Sequence, residues 1–170
     1  MAQGEFVVRK GIPGDAHTIA RIYNYYISNS IATFDVDPVT TQDRMEWMGQ
    51  FTDTGPYQIL VATSTVGELL GYACSVPYHS RAAYYTSVMT SVYLDSTATG
   101  MGIGSKLYIQ LLGILEKHPD LHRAYALVSL PNDASLALHR KSGFREVGVL
   151  HEAGKKFGDF ISVTILERPL

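Results

Sequence analysis

The stretch that most constrains this chain runs from Ser91 to Leu115, SVYLDSTATGMGIGSKLYIQLLGIL. A short β-branched and aromatic run, Ser91 to Leu94, gives way to a loop holding Gly100, Gly102 and Gly104, after which apolar residues recur at Leu107, Leu111, Ile114 and Leu115. That spacing is helical, so the unit reads strand, glycine loop, helix. Glycine at every second position lets the backbone approach a ligand closely. The N–H groups that open a helix lack intrahelical acceptors and sit at its positive end, which suits a phosphate. The loop therefore reads as an anion cradle. A P-loop would need GxxxxGK followed by Ser or Thr; Gly104-Ser105-Lys106 has the wrong order and Gly100 the wrong spacing, which excludes it. A GxGxxG dinucleotide fingerprint belongs on a first strand with an acid about 20 residues later. Here the glycines are spaced differently and lie past the middle of the chain.

Composition narrows the ligand. With 170 residues, 46% of them hydrophobic and 18% charged, the chain reads as one globular domain, 1–170. A net charge of −2 gives no basic field, so nucleic acid is not expected as a partner and a small neutral or zwitterionic substrate fits better. The single Cys74 excludes an internal disulfide framework and a cysteine-rich zinc site; a reducing cytoplasm and no metal are the expectation. Met1 to Lys10 lacks the apolar core of a signal peptide, and no apolar run is long enough to span a membrane.

In chain order, Phe6 to Arg9 reads as a strand ended by Gly11-Ile12-Pro13-Gly14, and Asp15 as the cap of a helix through Ile19, Ile22, Tyr23 and Tyr26. An extended loop over residues 30–40 precedes a helix starting at Thr41 or Asp43 and ending near Phe51. Tyr57 to Ala62 and Leu69 to Val76 form a hairpin turned at Gly67, and the glycine-loop unit follows. Ala124 to Leu130 is nearly all apolar and reads as a strand buried on both faces. Pro131-Asn132-Asp133 opens a helix that Gly143 stops, and strands over Phe144 to Leu150 and Phe160 to Leu166 complete the chain.

The GxGxG loop, in spacing and location, resembles the pyrophosphate loop of the GCN5-related N-acetyltransferases (GNAT), and the β-α-α-β-β-β-α-β-α-β-β order matches that family's topology. The resemblance implies an α/β (α+β) fold: one mixed, mostly antiparallel twisted sheet with helices on both faces, its strands diverging beside the loop. It also implies acetyl-CoA as co-substrate. Six further words, in order, are similar to the phosphinothricin and methionine sulfoximine acetyltransferase branch: Ile22-Tyr23-Asn24; Thr33-Phe34 with Pro38-Val39-Thr40; Tyr78-x-x-Arg81-x-Ala83-Tyr84; Ser91-Val92-Tyr93; Leu130-Pro131-Asn132-Asp133 with His139; and Gly154-x-Lys156-Phe157-Gly158. That branch acetylates the α-amine of glutamate-like amino acid analogues and often forms homodimers.

The resemblance implies cofactor contacts at Val92, Tyr93, Leu94, Gly100, Met101, Gly102, Ile103, Gly104, Ser105, Asn132 and Ser135, and an oxyanion-stabilising backbone N–H near Tyr93 or Leu94. Asn132 serves equally as a helix N-cap, and both roles are compatible. His139 stands where the wider superfamily has a Tyr acid, and an imidazole can donate to the departing thiolate or relay a proton; the alternative is a structural, partly buried histidine. For the acceptor the resemblance implies Phe34, His79, Ser80, Arg81, Tyr84, Met89, Thr90 and Ser91, with Arg81 and Tyr84 as ligands of an acidic group. Outside the motif, Arg81 reads as a solvated charge and Phe34 as a core anchor. Two departures stand out. Thr99 replaces the usual Arg or Gln before the middle glycine, and Met89 occupies the place of the Glu that serves relatives as base. Met suits a more apolar acceptor tail.

Three functions follow as expectations. The first is a small-molecule N-acetyltransferase on the α-amine of an amino acid analogue. The second, motivated by Met89, is an acyl-CoA-binding protein with little catalysis. The third is a protein N-terminal acetyltransferase.

Overall fold

The computed structural model describes residues 5–170; residues 1–4, the start of the stretch read above for a leader, lie outside them. Seven strands form one sheet in the order β1-β2-β3-β4-β5-β7-β6. They are β1 (Phe6–Lys10), β2 (Ile59–Ser64), β3 (Leu69–Pro77), β4 (Ser87–Leu94), β5 (Arg123–Ser129), β6 (Arg145–Lys156) and β7 (Asp159–Pro169). The helices are α1 (Ala16–Asn29), α2 (Thr41–Met48), α3 (Ile103–Leu115) and α4 (Asp133–Lys141). Neighbouring strands run antiparallel except β4 and β5. The mixed, mostly antiparallel sheet expected from the motif is what the chain forms.

Side-chain alternation along the strands builds a core on each face. In β2, Ile59 and Val61 pack with Ile19 and Ile22 of α1 and Met48 of α2, while Leu60 and Ala62 pack with Ile103, Leu107, Leu111 and Leu115 of α3. Helices therefore cover both faces. Each fully buried aliphatic side chain in these layers contributes about 1.5–3 kcal/mol of transfer free energy.

Several local expectations are corrected. Asp15 does not cap α1 with its side chain: the carboxylate pairs with Arg9 at 2.8 Å and accepts the Ile12 N–H at 2.9 Å. α2 starts at Thr41 as expected but ends at Met48, short of Phe51; Thr40 caps it, its Oγ1 accepting the Asp43 N–H at 3.1 Å while Asp43 accepts the Thr40 N–H at 2.7 Å. That reciprocal pair is a capping box. The final two strands extend to a tight turn at Phe157-Gly158. Leu127, expected inside a doubly buried strand, is 51% exposed.

The reason for that exposure positions the site. β4 and β5 pair only over Ser87–Met89 and Arg123–Tyr125, then part. Where the ladder stops, Thr90 Oγ1 donates to the Tyr125 carbonyl at 3.1 Å and so satisfies it with a side chain in place of a strand amide. Thr90 spends its only proton there, so the 2.6 Å contact with Tyr108 of α3 is donated by the tyrosine. This buried pair props the fork open.

Candidate active site

At the open end of the fork lies the glycine loop. Gly100 and Gly102 adopt φ of 76° and 77°, which L side chains rarely take, and that explains glycine at both positions. Gly104 has ordinary φ and is buried instead. Lys106 N–H donates to the Gly102 carbonyl at 3.1 Å, so the N–H groups of Ile103, Gly104 and Ser105 precede the first helical bond of α3. Donor groups converging at a helix start fit a diphosphate. The Ile103 side chain itself is fully buried, leaving only its main chain for such a role.

Beyond Met89 the edge of β4 that faces β5 has no ladder partner. Asp95 N–H donates to Leu70 O at 2.8 Å on the opposite edge. Strand alternation then turns the Tyr93 amide toward β3 as well, and those of Val92 and Leu94 into the fork. Of the two amides expected to stabilise an oxyanion, only that of Leu94 faces the fork. Its carbonyl is held by the Tyr26 hydroxyl at 2.8 Å, and Gly71 makes room for it, since a Cβ there would meet Leu94 Cδ2 at 2.6 Å.

A cavity of about 260 Å³ occupies the fork, lined by Thr90 to Leu94, Thr99, Gly100, Leu127 to Ser129, Asn132, Ser135, Leu138 and His139. Asn132 caps α4, its Oδ1 accepting the Ser135 N–H at 3.2 Å. His139 is 4% exposed. Its Nδ1 lies 2.7 Å from the Ser135 carbonyl, which only accepts, so Nδ1 carries the proton. Nε2 is then a bare acceptor, buried without a hydrogen-bond partner among the described residues. Burial holds the imidazole below its usual pKa, outweighing the opposing effect of the carbonyl bond. His139 is thus neutral at neutral pH, with Nε2 arranged to take up a proton before it can hand one on.

A second cavity, about 390 Å³, meets the first along Ala32, Ser91, Tyr93, Leu127 and Ser129. It adds Thr33, Phe34, Met89, Leu150, Ala153 and Val163, and among the described residues no Asp, Glu, Lys, Arg or His lines it. Phe34, Met89 and Ser91 of the expected acceptor set come together here. Thr90 does not: its side chain is on the α3 face with Tyr108. His79, Ser80, Arg81 and Tyr84 stand outside both cavities on an exposed loop between β3 and β4. That loop is organised by its own aromatics, with Tyr78 stacked on Tyr125 at 4.5 Å and His79 beside Tyr84 at 5.0 Å. Met101 and Ser105 are half-buried at the loop without lining the cavity.

Thr99, noted above as a departure, lines the first cavity, and Leu127, Ser129, Leu138, Leu150, Ala153 and Val163 line the cavities without a signal in the sequence. Only the fork exposes them, and apolar strand residues carry no signal of that. Cys74, whose thiol burial pushes up to about 12, is enclosed in the other core layer. Among the described residues no cluster of three His, Cys, Asp or Glu gathers, and no helix is long and apolar enough to cross a membrane.

A forked parallel pair with a free-amide helix start at its mouth puts the chain among the N-acetyltransferases that use acetyl-CoA. Residues 19–144 match the model of the Acetyltransferase (GNAT) family, and the chain belongs to that family. It is 45% identical over 167 residues to a phosphinothricin N-acetyltransferase of Streptomyces coelicolor, covering 98% of this chain and 97% of the relative. A methionine sulfoximine/methionine sulfone acetyltransferase of Pseudomonas paraeruginosa is 32% identical over 94% of this chain and 92% of its own. The crystal structure of a phosphinothricin acetyltransferase from Sinorhizobium meliloti in complex with acetyl-CoA superimposes with a TM-score of 0.92 at 28% identity, over 97% of this chain and 88% of that one.

Proposed function

We propose that this N-acetyltransferase acts on the α-amine of a small amino acid or analogue whose tail is uncharged, with the acceptor in the cavity beside Met89 and acetyl-CoA along the fork. The observation that carries this reading is the junction of the two cavities at Ser91, Tyr93, Leu127 and Ser129, which joins the groove lined by the free amides of β4 to a pocket that has no charged side chain among the described residues. A charged tail buried there would lack a partner and cost several kcal/mol, roughly 2–7 even for a neutral polar group. The two relatives' names span both cases, a phosphinate and a sulfoximine or sulfone. The uncharged lining favours the latter.

Acetyl-CoA, when bound, supplies an activated thioester. In our reading the amides of the loop from Gly100 to Ser105 hold its diphosphate, with Asn132 and Ser135 beside the pantetheine. The Leu94 N–H stabilises the charge that develops on the acyl oxygen. His139 Nε2, neutral and unpartnered, receives the amine proton and can pass it to the departing sulfur. This assigns to His139 the work done in relatives by the Glu that Met89 replaces. Arg81, Tyr84, His79 and Ser80 have no part in it. The exposed apolar residues Val147, Leu150, Phe157 and Phe160 on β6 and β7 and in their turn support a homodimer, which light scattering would reveal as twice the chain mass. The buried, unpaired Cys74 agrees with a cytoplasmic location.

The acceptor assignment is tested by following thiol release with methionine sulfone and with phosphinothricin. The expected kcat/KM is about tenfold or more higher for the sulfone, an equal or reversed preference contradicting the uncharged pocket. Met89→Glu checks the division of labour. With His139 as proton acceptor, the variant should change kcat near about pH 8 by less than about threefold. A gain of about a hundredfold would return that duty to position 89 and make the natural enzyme a weak catalyst.

A further inference from the structure

The word Gly154-x-Lys156-Phe157-Gly158 takes no part in the transfer as described, yet it contains a lysine only 4% exposed. Among the described residues no carboxylate lies within ion-pair distance of it. Its Nζ donates instead to three carbonyls, those of Thr33 at 2.7 Å, Ser30 at 2.8 Å and Tyr26 at 3.4 Å. An ammonium has three protons, and these acceptors use all of them. Tyr26 and Ser30 belong to the end of α1, where a cation is favoured; the Tyr26 carbonyl also accepts the Ser30 N–H at 3.1 Å, which accounts for its longer bond to Nζ. Thr33 is already in the loop that follows.

Two residues earlier, Gly154 grips the same loop by shape. A Cβ at this position would meet the Phe34 ring at 2.2, 2.6 and 2.8 Å, so the ring occupies the space a side chain would need. The opening falls at an irregularity of β6, between Leu150 and Gly154, where the pairing with β7 slips. Tyr23 adds a third hold from α1, its hydroxyl sharing a bond with Thr33 Oγ1 at 2.7 Å and donating to Asp35 at 2.8 Å. The segment so fixed, Ala32 to Phe34, is one wall of the cavity beside Met89.

We propose that Lys156 and Gly154 form a two-point clamp that sets the acceptor wall, Lys156 acting as a positioning residue through the Ser30 and Thr33 carbonyls and Gly154 through the Phe34 ring. The inference rests on the reading that this cavity receives the acceptor. Lys156 does not line either cavity and has no proton left for a substrate carboxylate. Loss of the clamp therefore weakens acceptor binding while sparing the cofactor groove on α3.

The experiment compares Lys156→Met, Lys156→Arg and Gly154→Ala with the parent enzyme. Lys156→Met should raise the acceptor KM about tenfold or more, with the acetyl-CoA KM and kcat changed by less than about threefold; Lys156→Arg, which keeps the charge and donors, should recover part of that loss. Gly154→Ala should give the same split with Lys156 intact. A readout without substrate separates this inference from the acceptor assignment. In Lys156→Met the amides of Ala32 and Asp35, now bonded to Ser30 Oγ at 3.0 Å and Thr33 Oγ1 at 3.2 Å, should exchange hydrogen about tenfold faster while those of α3 do not. Faster loop exchange with an unchanged acceptor KM would overturn the location of the acceptor and leave the clamp. Unchanged exchange, or acceptor and cofactor KM rising together, would overturn the clamp. Should Lys156→Met fail to fold, the same readings on Gly154→Ala decide the matter.

Discussion

Replacing Gly102 by Val is expected to weaken coenzyme A binding by about a hundredfold or more in a calorimetric titration, with the protein still folded. The cause is backbone conformation, not crowding. A Cβ at Gly102 would meet nothing within 4 Å, but φ there is 77°, where a β-branched residue is a genuine outlier. Left-handed backbone costs an L-residue roughly 1–2 kcal/mol, so the loop relaxes by rotating the very peptides whose N–H groups we propose hold the diphosphate. A hundredfold in affinity is about 2.7 kcal/mol, the scale of a few charge-assisted bonds turned away. Gly102 is exposed and lies outside the core layers, so cooperative melting should survive. Unchanged affinity in a folded variant would remove the loop from the site.

The second large effect belongs to His139→Asn, for which kcat should fall about a hundredfold to a thousandfold with the acetyl-CoA affinity held within about threefold. Asparagine can still donate to the Ser135 carbonyl, as Nδ1–H does at 2.7 Å, and removes only the nitrogen that faces no partner. The pH dependence carries the sign of the role. Because burial lowers the imidazole pKa, His139 stays neutral through neutral pH, and protonation on the acid side destroys the acceptor. At saturating acceptor, kcat should hold down to about pH 6.5 and decline below it, and His139→Asn should abolish that acid limb. An intact limb in the variant, or an inflection well above the ordinary histidine value, would assign proton transfer to another group.

How much of this was legible in the sequence depends on whether the determinant is local. The glycine loop could be read because positive φ at Gly100 and Gly102 and the helix start after them are written within a few residues. Asn132 could be read as a cap for the same reason. The fork could not be derived from periodicity, since Leu127 looks like any buried strand residue and is exposed only because Thr90 and Tyr108 end the pairing with β4. Thr90 belongs to the acceptor set only by the resemblance, and strand alternation turns it to the opposite face. Arg81 and Tyr84 lie outside the two cavities, on a loop that packs on its own aromatic rings. Lys156 was visible as a word and mute as to role. Its acceptors lie 123 to 130 residues away in the chain, a distance no local pattern spans.

The alternation along β4 and the free amides of the loop make one claim that amide resonances read directly. On titration of coenzyme A into the uniformly labelled protein, the N–H signals of Gly100, Gly102, Ile103, Gly104 and Ser105 should move most, together with those of Val92 and Leu94. The Tyr93 amide, turned toward β3, should move far less. Shifts confined to other surfaces, or Tyr93 moving with an unmoved Leu94, would contradict both the diphosphate cradle and the placement of the thioester in the fork.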